Sequence, residues 1–316
     1  MAEKEATRNA YGKALVSLGA ENPDIVVLDA DLSKSTKTVD FAKKYPQRFF
    51  NMGVAEQNLM GTAAGLAAAG KIPFASTFAI FATGRAFEQI RNSIAYPQLN
   101  VKIAATHAGI TVGEDGGSHQ AVEDIAVMRA VPNMTVLVPA DGEETRQVIR
   151  AAASYQGPVY IRMGRLDVPL LFDGNYRFEI GKANILREGT DAAIMANGIM
   201  VAMALEAAEE LAQAGISVGV VNVASVKPLD IETIVRTAQQ TKAVVSAEEH
   251  NIMGGLGGAL AEVLAENAPV PMVRVGIKDT FGESGRPQEL LEKYGLTRDA
   301  LIAAVHEVIA KKKNQD

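Results

Sequence analysis

The sequence predicts an α/β protein of two domains, and three observations carry that expectation. The chain has 316 residues, more than a single hydrophobic core of ordinary size takes up. Short apolar runs alternate with stretches of helical length and pattern along most of it. The alternation lapses once, over residues 165–190, where Pro169, Asp173-Gly174 and Gly189 punctuate a segment rich in charge and turns. Repeated strand–helix units build a mostly parallel sheet with helices on both faces. The layout expected is a first domain over 1–170, a linker over 171–190 and a second domain over 191–316.

Taken in order, residues 3–20 read as a helix with Ala10, Leu15 and Leu18 on one face. Ile25-Val-Val-Leu28 reads as a buried strand running into the polar turn Asp29-Ala-Asp-Leu-Ser-Lys-Ser35. A short helix over 39–45 leads to Asn51-Met-Gly-Val-Ala-Glu-Gln-Asn-Leu-Met60 and then Gly61-Thr-Ala-Ala-Gly-Leu-Ala-Ala-Ala-Gly70. A helix of Gly, Ala and Leu has no bulky or charged face for water, so it must lie close against another backbone. Glu56 at its start is therefore expected to be buried, which costs on the order of several kcal/mol unless it is paired or protonated.

Strands over 72–74, 101–105, 135–138 and 159–162 alternate with helices over 86–95, 120–130 and 143–154, and a Gly-rich loop covers 108–118. In the second domain strands over 192–196, 218–223, 243–246 and 271–275 alternate with helices over 201–214, 231–240 and 252–266, and two helices close the chain. The tail over 311–316 reads as a frayed, solvated end.

Composition narrows the function. The net charge is −6 and no basic stripe appears, which argues against nucleic acid. There is no Cys, so no disulfide framework or thiolate metal site, and only four His argue against a histidine metal cage. The apolar runs are too short for a membrane span, and the first residues lack the apolar core of a signal peptide, so a cytoplasmic location is expected.

Ligands of an open parallel sheet sit at the carboxyl ends of its strands, and polar residues gather at those places. Asp31 and Ser35 follow the first strand, His107 follows 101–105, Asp115 and His119 lie in the loop beyond, and Arg162 ends its strand. Each has a plainer reading. Glu56 suits a helix N-terminus, Phe78 and Phe81 suit a core, Asp115 among glycines suits a turn, and Arg8 and Arg162 suit a solvated surface. Gly254-Gly-Leu-Gly-Gly258 lacks dinucleotide-fingerprint spacing, so close helix packing is its simpler use.

Several stretches, in order, resemble the transketolases. Thr106-His-Ala-Gly-Ile-Thr-Val-Gly-Glu-Asp-Gly-Gly-Ser-His-Gln120 is similar to that family's loop with two histidines. Gly53-Val-Ala-Glu-Gln57 resembles the glutamate motif of thiamine-diphosphate enzymes, and Ser76-Thr-Phe-Ala-Ile-Phe81 the stretch that holds the aminopyrimidine. Thr7-Arg8 and the Asp29–Ser35 turn also match. In the second half, Val226-Lys-Pro-Leu-Asp230 and Glu248-Glu-His-Asn-Ile-Met-Gly-Gly255 resemble the transketolase C-terminal domain.

The resemblance implies a pyrimidine-binding domain followed by a C-terminal domain, with thiamine diphosphate and Mg2+ as cofactors. It implies that Glu56 bonds a pyrimidine ring nitrogen and so helps create the carbon nucleophile that attacks ketose carbonyls. It gives Phe78, Phe81 and Leu32 to the cofactor pocket, and His107 and His119 to substrate hydroxyls and proton transfer. It gives Asp115 to the donor sugar, Asp31 to the acceptor sugar, and Arg8, Ser35 and Arg162 to the phosphate.

Two departures qualify the match. Gly84 stands where the family usually has Tyr. No Gly-Asp-Gly motif is present to hold the metal and diphosphate, and the sequence starts at the family's second domain. The resemblance is therefore to the C-terminal subunit of a split transketolase. It implies an N-terminal partner subunit, pairing of two copies of this chain in an α2β2 assembly, and sugar phosphates as substrates. Alternatives are the β subunit of a 2-oxoacid dehydrogenase, a deoxyxylulose-phosphate synthase, or a catalytically silent scaffold subunit.

Overall fold

A computed structural model describes residues 3–314. Seven strands form the first sheet, in the order Ser225–Lys227, Thr135–Leu137, Val159–Arg162, Lys102–Thr106, Ile72–Phe78, Ile25–Asp29, Phe49–Asn51. All pair in parallel except Ser225–Lys227, which crosses over from the second half of the chain and runs antiparallel to Thr135–Leu137. The inner strands are buried end to end, as a sheet covered on both faces requires. Register places Asp29 beside Ser76 and Phe78 beside Thr106, so three strand ends meet at one edge.

The second sheet has five strands in the order Met272–Ile277, Val244–Asn251, Ala192–Ala196, Val218–Asn222, Asn184–Arg187, with only the last pairing antiparallel. Ile110 and Val122 of the first half lie in the core built around this sheet.

The chain's start departs from expectation. Lys4–Ala6 is a strand, paired with Asp167–Pro169, and the helix begins only at Thr7. Backbone groups spent on that ladder are lost to a helix. The helix expected over 86–95 is present but wound as a π-helix over Gln89–Ala95, and a second π-helix, Phe81–Arg85, precedes it; no apolar period of 3.6 foretells this wider winding. The tail is not frayed through Lys313: the last helix runs Arg298–Lys313, and Lys312 Nζ donates to the carbonyls of Asp191 (3.3 Å) and Thr241 (2.8 Å). Gln315 and Asp316 lie outside the described residues.

The glutamate helix spans Glu56–Ala68 and buries Glu56, Leu59, Met60, Ala63 and Ala64. Its Gly61 and Gly65 face open space, with no atom within 4 Å of where a Cβ would stand.

Residues 170–178 are held against the first sheet's helices. The Asp141 side chain caps the helix Gly142–Ser154 through Glu144 N (2.8 Å) and accepts from Leu171 N (2.6 Å) and Phe172 N (2.9 Å). Glu144, fully buried, accepts from Ala140 N (2.6 Å), Tyr176 Oη (2.5 Å) and Asn222 Nδ2 (2.7 Å), joining both halves of the chain. Tyr176 Oη also lies 2.9 Å from Asn184 Oδ1, so one hydroxyl sits between the carboxyl and the amide.

Burial pushes the Glu144 carboxyl up from 4.5 to about 7. Between those values the folded state holds a proton the unfolded state has released. This contribution to stability is therefore full at low pH and is lost as pH rises through the folded value. The melting temperature of the wild type is expected to fall relative to that of Glu144→Gln between about pH 4.5 and 7. Parallel curves for the two proteins would contradict this reading of Glu144.

Candidate active site

The three strand ends carry a wall of stacked rings. Phe78 closes its strand and lies parallel to Phe81, 5.7 Å between centroids, and to His107 at 3.8 Å. His119 meets Phe81 edge-on at 5.3 Å. Glu56 is 5% exposed at the head of its helix, and its Oε1 accepts from Arg85 Nη1 at 3.0 Å. The Arg85 guanidinium lies 4.0 Å from the Phe81 ring. Arg85 thus offsets the cost of burying Glu56, and the π-turn brings Phe81 and Arg85 to the same place.

His107 sits in the left-handed region at φ 56°, and Asp31 likewise at φ 64°. Such conformations cost about 1–3 kcal/mol each and gather at functional sites. The His107 ring bridges Thr106 Oγ1 (2.9 Å, at Nδ1) and Arg8 Nη1 (3.1 Å, at Nε2). A guanidinium can only donate, so Nε2 accepts and the neutral ring carries its proton on Nδ1. Burial, then the charges of Arg8, Arg165 and Lys37, push the imidazole down to about 3.

Asp29, buried at the end of its strand, fixes the turn that carries Asp31, Leu32 and Ser35. It accepts from Leu32 N (2.6 Å), Thr36 Oγ1 (2.6 Å) and Thr38 Oγ1 (2.9 Å). The Ser35 carbonyl accepts from Arg8 Nη1 at 3.0 Å. Asp31 Oδ1 accepts from Asn51 Nδ2 at 2.8 Å, and Asn51 Oδ1 accepts from Gly53 N at 3.0 Å, which ties this turn to the glutamate motif. Asp115 is exposed in the loop after His107, and His119 contacts Ser118 Oγ through Nδ1 at 3.0 Å.

One expected phosphate ligand, Arg162, is engaged largely with protein partners. Arg162 points inward, 5% exposed, with Nε at 2.9 and 3.1 Å from the two oxygens of buried Asp124. Its Nη2 donates to the carbonyls of Ala121 (3.3 Å) and Glu249 (2.9 Å), so Nε and Nη2 are both taken by protein partners. Three residues further on, Arg165 faces the site instead, with Nη1 donating to Val112 O at 2.6 Å and lying 3.6 Å from Asp115 Oδ2. Arg165, Lys37 and Arg85 escaped the sequence reading. For Arg165 the signal was present: in Arg162-Met-Gly-Arg165 only one arginine continues the buried strand.

The glycine run at 254–258 is closed to anions. The Glu248 carboxylate accepts from Leu256 N (2.7 Å) and Gly257 N (2.8 Å), and a Cβ on Gly255 would meet it at 2.0 Å. No group of three or more His, Cys, Asp or Glu among the described residues is placed to hold a metal ion. A buried carboxylate beside an aromatic wall is what a flat heterocycle with a ring nitrogen needs, so the residues present fit an aminopyrimidine.

Residues 3–169 match the model of the transketolase pyrimidine-binding domain, and residues 181–301 that of the transketolase C-terminal domain. The chain belongs to the transketolase family. It is 53% identical over 307 residues to a putative transketolase C-terminal section of Methanocaldococcus jannaschii, covering 96% of each. It is 46% identical over 310 residues to a 6-deoxy-6-sulfo-D-fructose transketolase subunit of a Clostridium species, covering 98% of this chain and 96% of that one. A solved structure described as a split gene transketolase, inactive β4 tetramer, superposes with a TM-score of 0.92 at 63% identity, over 97% of this chain and 99% of that one.

In this transketolase-family chain, the nitrogen chemical shifts of His107 are expected to show the neutral Nδ1–H ring throughout the range around its ordinary value of 6.5. A His107 transition near that value would contradict the hydrogen-bond assignment.

Proposed function

We propose that this chain is the C-terminal subunit of a two-chain, thiamine-diphosphate-dependent transketolase that moves a two-carbon ketol unit from a ketose phosphate to an aldose phosphate. The observation that carries it is Glu56, buried and set beside the Phe78–Phe81 wall at the strand ends. The Asp115 and two-histidine loop distinguishes it from a 2-oxoacid dehydrogenase subunit, because it offers polar groups to a polyhydroxy substrate.

Glu56 would form the hydrogen bond to a pyrimidine ring nitrogen, in a site where Phe78, Phe81 and Leu32 present apolar surface and exclude water. Thiamine diphosphate, when bound, supplies a carbon nucleophile toward ketose carbonyls. His107 offers Nε2 as an acceptor to a sugar hydroxyl, sharing it with Arg8, and His119 offers its ring from its edge-on position against Phe81. Asp115 accepts from a donor-sugar hydroxyl and Asp31 from an acceptor sugar. Arg8, Lys37 and Arg165, whose charges all bear on His107, form the terminal anion site with Ser35. A cluster of three cations also suits a sulfonate, the terminal group of the sugar named for the clostridial relative.

The magnesium ion and the diphosphate are assigned to an N-terminal partner subunit: this chain's sequence has no Gly-Asp-Gly motif, and no group of three or more His, Cys, Asp or Glu among the described residues is placed to hold a metal ion. Two copies of this chain pair through the open face of the glutamate helix at Gly61 and Gly65, in a cytoplasmic α2β2 complex. In that complex Glu56→Gln is expected to lower kcat by about 10²- to 10⁴-fold, with assembly unchanged on size exclusion. Turnover near that of the wild type would refute the role given to Glu56.

A further inference from the structure

The loop over 106–120 is gripped from outside by the second domain. Gln120 Nε2 donates within the loop to Ile110 O (3.1 Å) and Gly113 O (3.3 Å). It also donates across the domain boundary to Glu283 O (2.9 Å). Ser284 Oγ donates to Glu114 O at 2.6 Å, next to Asp115. The fit is close enough to require glycine on both sides. A Cβ on Gly117 would stand 2.7 Å from Gly282 O, and one on Gly282 would stand 1.8 Å from Gln120 Oε1. The gripping segment is itself fixed: Tyr294 Oη donates to Phe281 O at 3.0 Å, and Lys293 pairs with Glu283.

We infer that residues 279–286 of the second domain are a positioning strap that sets where Asp115 and His119 stand in the active site. The inference rests on reading 106–120 as the sugar-binding loop. Ser284 and Gln120 touch no reacting atom; they act through the loop's backbone. Regular structure in the loop is limited to a bridge between Ala108 and Ala121 and a short turn at Ile110–Val112, so the stretch from Gly113 to His119 is braced from outside by these cross-domain bonds. The second domain thereby contributes to substrate choice without supplying a group to the chemistry.

Hydrogen exchange on the chain alone tests the strap without reference to activity. In Ser284→Ala and in Gly282→Ala, the amides of Gly113, Gly116 and His119 are expected to exchange about tenfold faster than in the wild type. Those of the buried strand Lys102–Thr106 are expected to stay unchanged, and Ser284→Thr, which keeps the hydroxyl, to resemble the wild type. In the complex with the N-terminal subunit, Ser284→Ala is expected to raise KM for the ketose phosphate roughly threefold to tenfold, with kcat within about twofold. Unaltered loop exchange in both variants would overturn the inference, as would a fall in kcat at unchanged KM. Faster loop exchange in a complex whose wild type transfers no ketol unit would uphold the strap and sink the proposed function.

Discussion

The buried pair of Arg162 and Asp124 is the interaction on which the site's architecture depends. Tyr160 donates to the same carboxylate at 2.6 Å, so three buried polar side chains satisfy one another. The guanidinium Nη2 donates to the carbonyls of Ala121, at the end of the histidine loop, and Glu249, on a strand of the second sheet. One cation therefore joins the first sheet, the loop and the second domain. Removing either member of such a pair leaves an unpaired buried charge, at a cost of about 3–5 kcal/mol. Glu249 extends the junction, since its Oε1 accepts from Thr111 N at 2.7 Å and its side chain fills the space beside Gly109 that a Cβ would need.

Strain at the site follows from the same logic. His107 and Asp31 occupy a backbone region that side chains avoid, and each is held there by bonds to neighbours that cannot relax. Thr106 and Arg8 grip the His107 ring, while Asp29 gathers one backbone amide and two hydroxyls to lock the turn around Asp31. The Phe78–His107 stack then links the two strand ends, so that the aromatic wall and the polar turn share one rigid edge. Preorganisation of this kind lets neutral His107 accept a hydrogen bond where a free imidazole would take up a proton.

Much of the fold was legible because period and burial agree. Ile25–Asp29, Lys102–Thr106 and Val159–Arg162 are apolar runs bounded by turns, and all three are buried strands. Glu56 was legible because a carboxylate at the head of a small-residue helix has nowhere solvated to go, and it is buried. Long-range placement was not legible. Nothing local marks Lys4–Ala6 as the partner of Asp167–Pro169, or Ser225–Lys227 as an edge of the first sheet. The choice between Arg162 and Arg165 turns on strand phase, where a shift of a few residues exchanges an inward for an outward side chain. Arg85 depends on π-turns that apolar spacing does not encode.

The claim that this chain holds one half of a shared active site is tested most directly by titration. Ketol transfer from a ketose phosphate is measured while this chain is added to a fixed amount of the N-terminal subunit with thiamine diphosphate and magnesium. The result expected is no transfer by either chain alone and a rate that rises to a plateau at equal numbers of the two chains. Full transfer by this chain alone, or none at any ratio, would contradict it.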